Sequence, residues 1–145
     1  MSVCIFFGHR ECYGLDAAVL RVTIEDLIRQ GAEEFLVGHQ GMFDTMVRTS
    51  LKSLQKQYPH IRYSVVLAYL PTEKREFEDF SDTVYPEGIE NVPPKFAIDW
   101  RNRYLLDAAY ICICYVNQTC GGAYKFASLA KHRGLKVINL GSINL

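Results

Sequence analysis

The feature that most limits what this chain can become is an alternation between two hydrophobic rhythms. Short, nearly continuous apolar runs take turns with longer stretches whose apolar residues recur at helical spacing. A run that is apolar throughout suits a strand covered on both faces, and helical spacing suits a helix laid along a sheet. Alternation of the two along a whole chain is the pattern of α/β folds built on a mostly parallel sheet.

Val3 to Phe7 reads as the first strand, ended by Gly8. The stretch Leu15 to Gln30 carries Leu20, Ile24, Leu27 and Ile28 on one stripe and stops at Gly31. Glu34 to Val37 gives a second strand. Met42 to Tyr58 gives a second helix, striped by Phe43, Met46, Val47, Leu51 and Leu54 and stopped at Pro59. Ile61 to Tyr69, rich in β-branched and aromatic residues, gives a third strand. From Thr72 to Pro94 the rhythm fails while charge, Pro and Gly rise, so residues 72–94 are expected to form an irregular, lid-like insertion. A helix over Lys95 to Ala108, a strand over Tyr110 to Val116, a helix over Ala123 to Arg133 and a strand over Lys136 to Leu140 complete the pattern. With right-handed crossovers this order predicts an α/β, Rossmann-like three-layer sandwich with a mostly parallel central sheet. The 145 residues are expected to make a single domain, 1–145.

Composition removes several other classes. Apolar residues make up 49% and charged residues 22%, ordinary values for a globular protein, which excludes disorder, collagen and coiled coil. Sixteen Lys and Arg balance sixteen Asp and Glu, so no bulk nucleic-acid binding is expected. No apolar run approaches the roughly 20 residues that span a bilayer. The opening Met-Ser-Val-Cys lacks a basic leader, so the expectation is a cytoplasmic protein with no membrane partner. Its five cysteines are then expected to be reduced. Cys112 and Cys114 share one side of a strand but read as small buried hydrophobes, and no metal or cofactor is expected.

Ligands of such sheets bind beyond the carboxyl ends of the strands, which makes the residues after each strand the candidate site. Three exits combine glycine with polar groups: Gly8, His9 and Arg10; Gly38, His39, Gln40 and Gly41; and Asn117, Gln118, Thr119, Cys120, Gly121 and Gly122. Glycine lets backbone approach a ligand closely, and a helix N-terminus behind it offers free N–H groups and the positive end of a dipole. The favoured guest is an anion, most simply a phosphate, held at Gly121, Gly122 and Ala123. Arg10 or Lys125 would neutralise it, and Thr119 would add a hydroxyl. Asp44 either caps its own helix or accepts from a ribose hydroxyl. Arg101 and Asn102 either belong to a solvated helical face or close the pocket beside a base. Trp100, Tyr104, Phe77 and Phe80 would suit base stacking or, at helical spacing, a core. His60 and His132 read as ordinary surface residues. Neither a Gly-x-Gly-x-x-Gly fingerprint after the first strand nor a phosphate loop ending in Gly-Lys-Ser/Thr occurs, which sets aside those two modes.

Together, Gly8-His9-Arg10, the run Gly38-His39-Gln40-Gly41-Met42-Phe43-Asp44, Arg101-Asn102 ahead of an apolar strand, and Cys120-Gly121-Gly122-Ala123 ahead of the final helix resemble the SLOG superfamily. That group joins the DNA-processing protein DprA with the LOG cytokinin-activating phosphoribohydrolases. The likeness runs in order over nearly the whole chain and is nearest to small bacterial members of the YpsA and YoqJ type. It implies a Rossmann-like domain that binds a nucleotide or a nucleotide-derived molecule, such as an ADP-ribose- or NAD-like compound, at these loops. It also implies an alternative, hydrolysis of the N-glycosidic bond of a nucleoside monophosphate, with Asp44 as the candidate carboxylate. LOG enzymes carry Pro-Gly-Gly-x-Gly-Thr followed by a catalytic glutamate; here Tyr124 and Lys125 stand at the later Gly and Thr, and Ala127 at the glutamate. A further alternative is an interaction protein with a vestigial pocket. LOG-like proteins pair through helices, which makes a homodimer through Met42, Phe43 and Met46 a candidate assembly.

Overall fold

In the computed structural model, which describes residues 2–69 and 83–145, the two rhythms resolve into a six-stranded sheet flanked by helices. β1 (Ser2–Gly8) leads through α1 (Ala17–Arg29) to β2 (Ala32–Val37), and through α2 (Gly41–Gln57) to β3 (Arg62–Val66). Then come β4 (Thr83–Val84), two 3-10 turns at Ile89–Asn91 and Pro94–Phe96, α3 (Ala97–Ala108), β5 (Ile111–Tyr115), α4 (Gly122–His132) and β6 (Lys136–Asn139). The strands lie in the order β4-β3-β2-β1-β5-β6, and every neighbouring pair is parallel. This is the Rossmann-like three-layer arrangement that the sequence rhythm predicts.

The chain steps outward from β1 to β4, then crosses back to β5 and β6. Right-handed crossovers put helices on opposite faces when the direction of travel reverses. Alternate side chains of each strand therefore serve two cores. Cys4 and Phe6 pack with Leu20, Ile24, Phe43, Val47 and Leu51 of α1 and α2, whereas Ile5 and Phe7 pack with Leu105, Leu106, Phe126 and Ala130 of α3 and α4. Burial on both faces is why β1 and β5 read as unbroken apolar runs. α1 starts where the Asp16 carboxylate accepts from the Ala18 N–H at 2.8 Å.

Residues 72–94 are not irregular throughout. Thr83 and Val84 pair with Val65 and Val66 to add an edge strand, and the Leu67 N–H donates to the Val84 carbonyl at 2.8 Å. A two-residue edge strand is too short to carry a period, so only its partners could reveal it. The part of the insertion over 72–82, with Phe77 and Phe80, lies outside the described residues. The stripe considered for a homodimer faces inward instead: Phe43 is buried, and Met42 and Met46 pack against the same core. Among the described residues no helix is long and apolar enough to cross a membrane.

Candidate functional site

Between β1 and β5 the sheet reverses its direction of travel, and the loops leaving those strands part to opposite faces. Gly8 and Tyr115 are register partners at the ends of the two strands. Over them opens a cavity of about 650 Å³. Its walls come from Gly8, His9, Arg10, Glu11, Tyr13 and Gly14 after β1, from Gly38 and Gln40 after β2 with Asp44 on α2, from Ile98, Arg101, Asn102 and Leu105 on α3, and from Asn117, Gln118, Gly121, Gly122 and Ala123 after β5. The volume falls in the usual range of small-molecule sites, roughly 300–1,000 Å³.

Four expected residues are not among its lining. His39 turns away: its Nε2 accepts from the Ala68 N–H at 3.3 Å, and its ring lies edge-on to Tyr69 with centroids 5.2 Å apart. Gly41 sits behind the wall, where its φ of 84° and the nearness of Arg10 Cα, 2.7 Å from where a Cβ would be, make it the crossing point of two exits. There the Met42 N–H donates to the Arg10 carbonyl at 2.7 Å. Lys125 spends its charge on Asp99, with Nζ 2.9 Å from Oδ1. Thr119 also stands outside the lining.

The β5 exit is held from two sides. His9 Nε2 accepts from the Asn117 N–H at 3.2 Å, and burial lowers the imidazole pKa, which keeps that nitrogen an acceptor. Asn139 Oδ1 accepts from the N–H groups of Val116 and Gly141, each at 2.9 Å, while Nδ2 donates to the carbonyls of Val116 at 3.0 Å and Ile143 at 2.7 Å. Beyond this anchor Gly121, with φ of 90°, opens α4 without a side-chain cap. A Cβ on Gly121 or Gly122 would meet nothing within 4 Å among the described residues, so the uncapped start of α4, which lines the cavity, leaves open space beside it.

On the opposite wall Arg101, Asn102 and Asp44 are buried, so the solvated-face alternative for the first two does not hold. Arg101 Nη1 donates to the Val66 carbonyl at 3.0 Å, Nε to Asn102 Oδ1 at 3.0 Å, and Nη2 to Gln40 Oε1 at 3.5 Å. Asp44 Oδ2 accepts from the Gln40 N–H at 3.0 Å, so the carboxylate does cap its own helix while still lining the cavity. Burial pushes the Asp44 carboxyl up, with Arg101, the Gln40 N–H and Arg48 pulling it back. Burial also lowers Arg101, against the pull of Asp44. Desolvation thus outweighs the attraction between Asp44 and Arg101. Gly38 makes the arrangement fit, since a Cβ there would lie 2.6 Å from Asp44 Oδ2 and 2.7 Å from Arg101 Nη1. Trp100 and Tyr104 stack on each other, with centroids 6.3 Å apart and planes at 14°. Among the described residues no three His, Cys, Asp or Glu gather as a metal site would require.

Sequence reasoning misses Glu11, Tyr13, Gly14 and Tyr115 in the lining, and it misses Asn139 as the anchor of the β5 exit. Tyr115 is hidden inside an apolar strand, and only its place as the last strand residue could have marked it. Asn139 gives no local signal, because its partners are more than twenty residues away or beyond its own strand.

No family model and no curated protein matches the chain. Among solved structures it is similar to DNA processing protein A (DprA) from Streptococcus pneumoniae, at a TM-score of 0.69 and 20% identity, covering 98% of this chain and 51% of that one. It is also similar to DNA processing protein A from Helicobacter pylori, at a TM-score of 0.67 and 13% identity, covering 95% of this chain and 64% of that one. The chain thus spans half to two thirds of the length of these proteins. The likeness shows a DprA-like fold. It also corrects the expectation of no bulk nucleic-acid partner, because the Helicobacter pylori protein of this fold is described by its single-stranded DNA binding mode. Net charge averages over a whole surface, whereas a strand is held by local cations and stacking faces, so a balanced total excludes nothing.

Proposed function

We propose that this chain binds a nucleotide or nucleotide-derived molecule in the cavity at the carboxyl rim of its sheet, with a phosphate seated on the N–H groups of Gly122 and Ala123. One observation carries the reading: exits of three parallel strands meet in a single cavity that includes an uncapped helix N-terminus. Free N–H groups and the helix dipole favour an anion there, and Arg10 supplies a cation in the same wall. ADP-ribose- and NAD-like compounds belong to the same ligand class. The turn sequences that resemble small YpsA- and YoqJ-like SLOG members support a compact ligand-binding module.

A thermal-shift panel of nucleotides and ADP-ribose derivatives tests this. A ligand at about 100 times its Kd should raise the melting temperature by roughly 5–10 °C. Gly122→Asp, which adds a carboxylate in open space where the phosphate would sit, should abolish the shift. A parent protein that responds to no compound, or a variant that responds equally, contradicts the reading.

The likeness to the Helicobacter pylori protein favours a second reading, in which the same groove holds single-stranded DNA. Fluorescence anisotropy of a labelled oligothymidylate decides it. Binding that a mononucleotide competes away supports the strand reading, and an unchanged anisotropy at micromolar protein removes it.

A further inference from the structure

The side-chain amide of Gln40 is held in one orientation by its neighbour. A guanidinium carries only donors, and Arg101 Nη2 faces Gln40 Oε1 at 3.5 Å. Turning the amide over would set donor against donor, so Nε2 is the end that points away from Arg101. That Nε2 is buried and has no hydrogen-bond partner among the described residues. The same guanidinium fixes a second amide, because Arg101 Nε donates to Asn102 Oδ1 at 3.0 Å and leaves Nδ2 as the donor end. Gln40, Asn102 and Asp44 line one cavity.

A buried donor without an acceptor is costly and uncommon in native structures. The missing acceptor is not a phosphate, because the Asp44 carboxylate already takes the Gln40 backbone N–H at 3.0 Å and would repel a second anion beside it. A base carbonyl would satisfy the amide but offer nothing to Asp44. A hydroxyl does both, accepting from an amide N–H while donating to a carboxylate.

We propose that Gln40 Nε2 and Asp44 form a sugar-hydroxyl subsite, with Arg101 as the positioning residue that fixes the amide. This deepens the nucleotide reading above and rests on it. A ribose hydroxyl accepts from Gln40 Nε2 and donates to the Asp44 carboxylate, while the phosphate lies across the cavity at α4.

Calorimetric titration of the chain with AMP, GMP, CMP and UMP, and with their 2′,3′-dideoxy counterparts, tests it. The parent should bind the best ribonucleotide about tenfold or more tightly than its dideoxy form, the scale expected when a buried polar partner is lost. Gln40→Met, which keeps the side-chain length without the donor, should narrow that preference severalfold by weakening ribonucleotide binding, while Asp44 still accepts from the hydroxyl. Equal binding of the two forms by the parent overturns the subsite while leaving the nucleotide reading intact. So does full discrimination retained by Gln40→Met. If the parent binds neither form of any of the four, the subsite as a nucleoside-monophosphate site is overturned, and the thermal-shift panel with ADP-ribose derivatives decides the nucleotide reading separately. The comparison within the parent decides the matter even if the variant does not fold.

Discussion

At Gly8 the missing side chain is itself structural: a Cβ there would overlap the ring of Phe43, which is fully buried against the end of β1. Gly8→Ala should therefore lower stability by roughly 1–3 kcal/mol. Adding Phe43→Leu should recover part of the loss that the two changes would otherwise sum to. Urea unfolding of both single variants and the pair reads that coupling, and strictly additive effects would contradict the contact. His39 carries a different dependence. Burial, then the charges of Arg101 and Arg48, hold its imidazole down to about 4 from the ordinary 6.5. The unfolded chain takes up that proton below 6.5 and the folded one does not until about 4. Its contribution to stability is thus complete above pH 6.5 and lost as pH falls toward 4. His39→Gln, which keeps an acceptor for the Ala68 N–H, should flatten the fall in stability across that window. Chemical denaturation through the same pH range checks this, and parallel slopes in parent and variant would refute it.

At the scale of elements, the start of α4 separates two adjacent glycines. Gly121 has a φ of 90° and Gly122 is the first residue of the helix, with open space at both. Gly121→Ala should cost about 1–2 kcal/mol, because a side chain disfavours that backbone region, whereas Gly122→Ala should be neutral or slightly stabilising. Thermal denaturation distinguishes them, and equal losses would contradict the assignment of the turn. These elements were legible in the sequence where the physics is local. Apolar runs ending in glycine mark β1, β2 and the start of α4 because strand, turn and helix each leave a periodic or conformational trace within a few residues. The edge strand Thr83–Val84 leaves none. Arg101 and Asn102 show how far spacing goes: their position on α3 is plain, but burial depends on Val66 and Gln40, which are distant in the chain. His39 and Lys125 stand beside the right turns and are drawn off by Ala68, Tyr69 and Asp99, contacts that no local pattern encodes.

At the scale of the whole molecule, the candidate site follows from β1 lying inside the sheet, with β2 on one side and β5 on the other. The reversal there opens the rim, and α3 and the N-terminus of α4 close one side of the opening while the β1 and β2 exits close the other. A second cavity of about 530 Å³, lined by Lys131, Asn139 and residues 141–145, shares no lining residue with the first and serves as an internal control. Titration of the isotope-labelled chain with a nucleoside monophosphate, followed by amide chemical shifts, should move His9, Gly38, Gln40, Gly121, Gly122 and Ala123 together and leave Ser142 to Leu145 in place. Unmoved rim amides at saturating nucleotide, or shifts centred on the second cavity, would contradict a nucleotide site at the carboxyl ends of the strands.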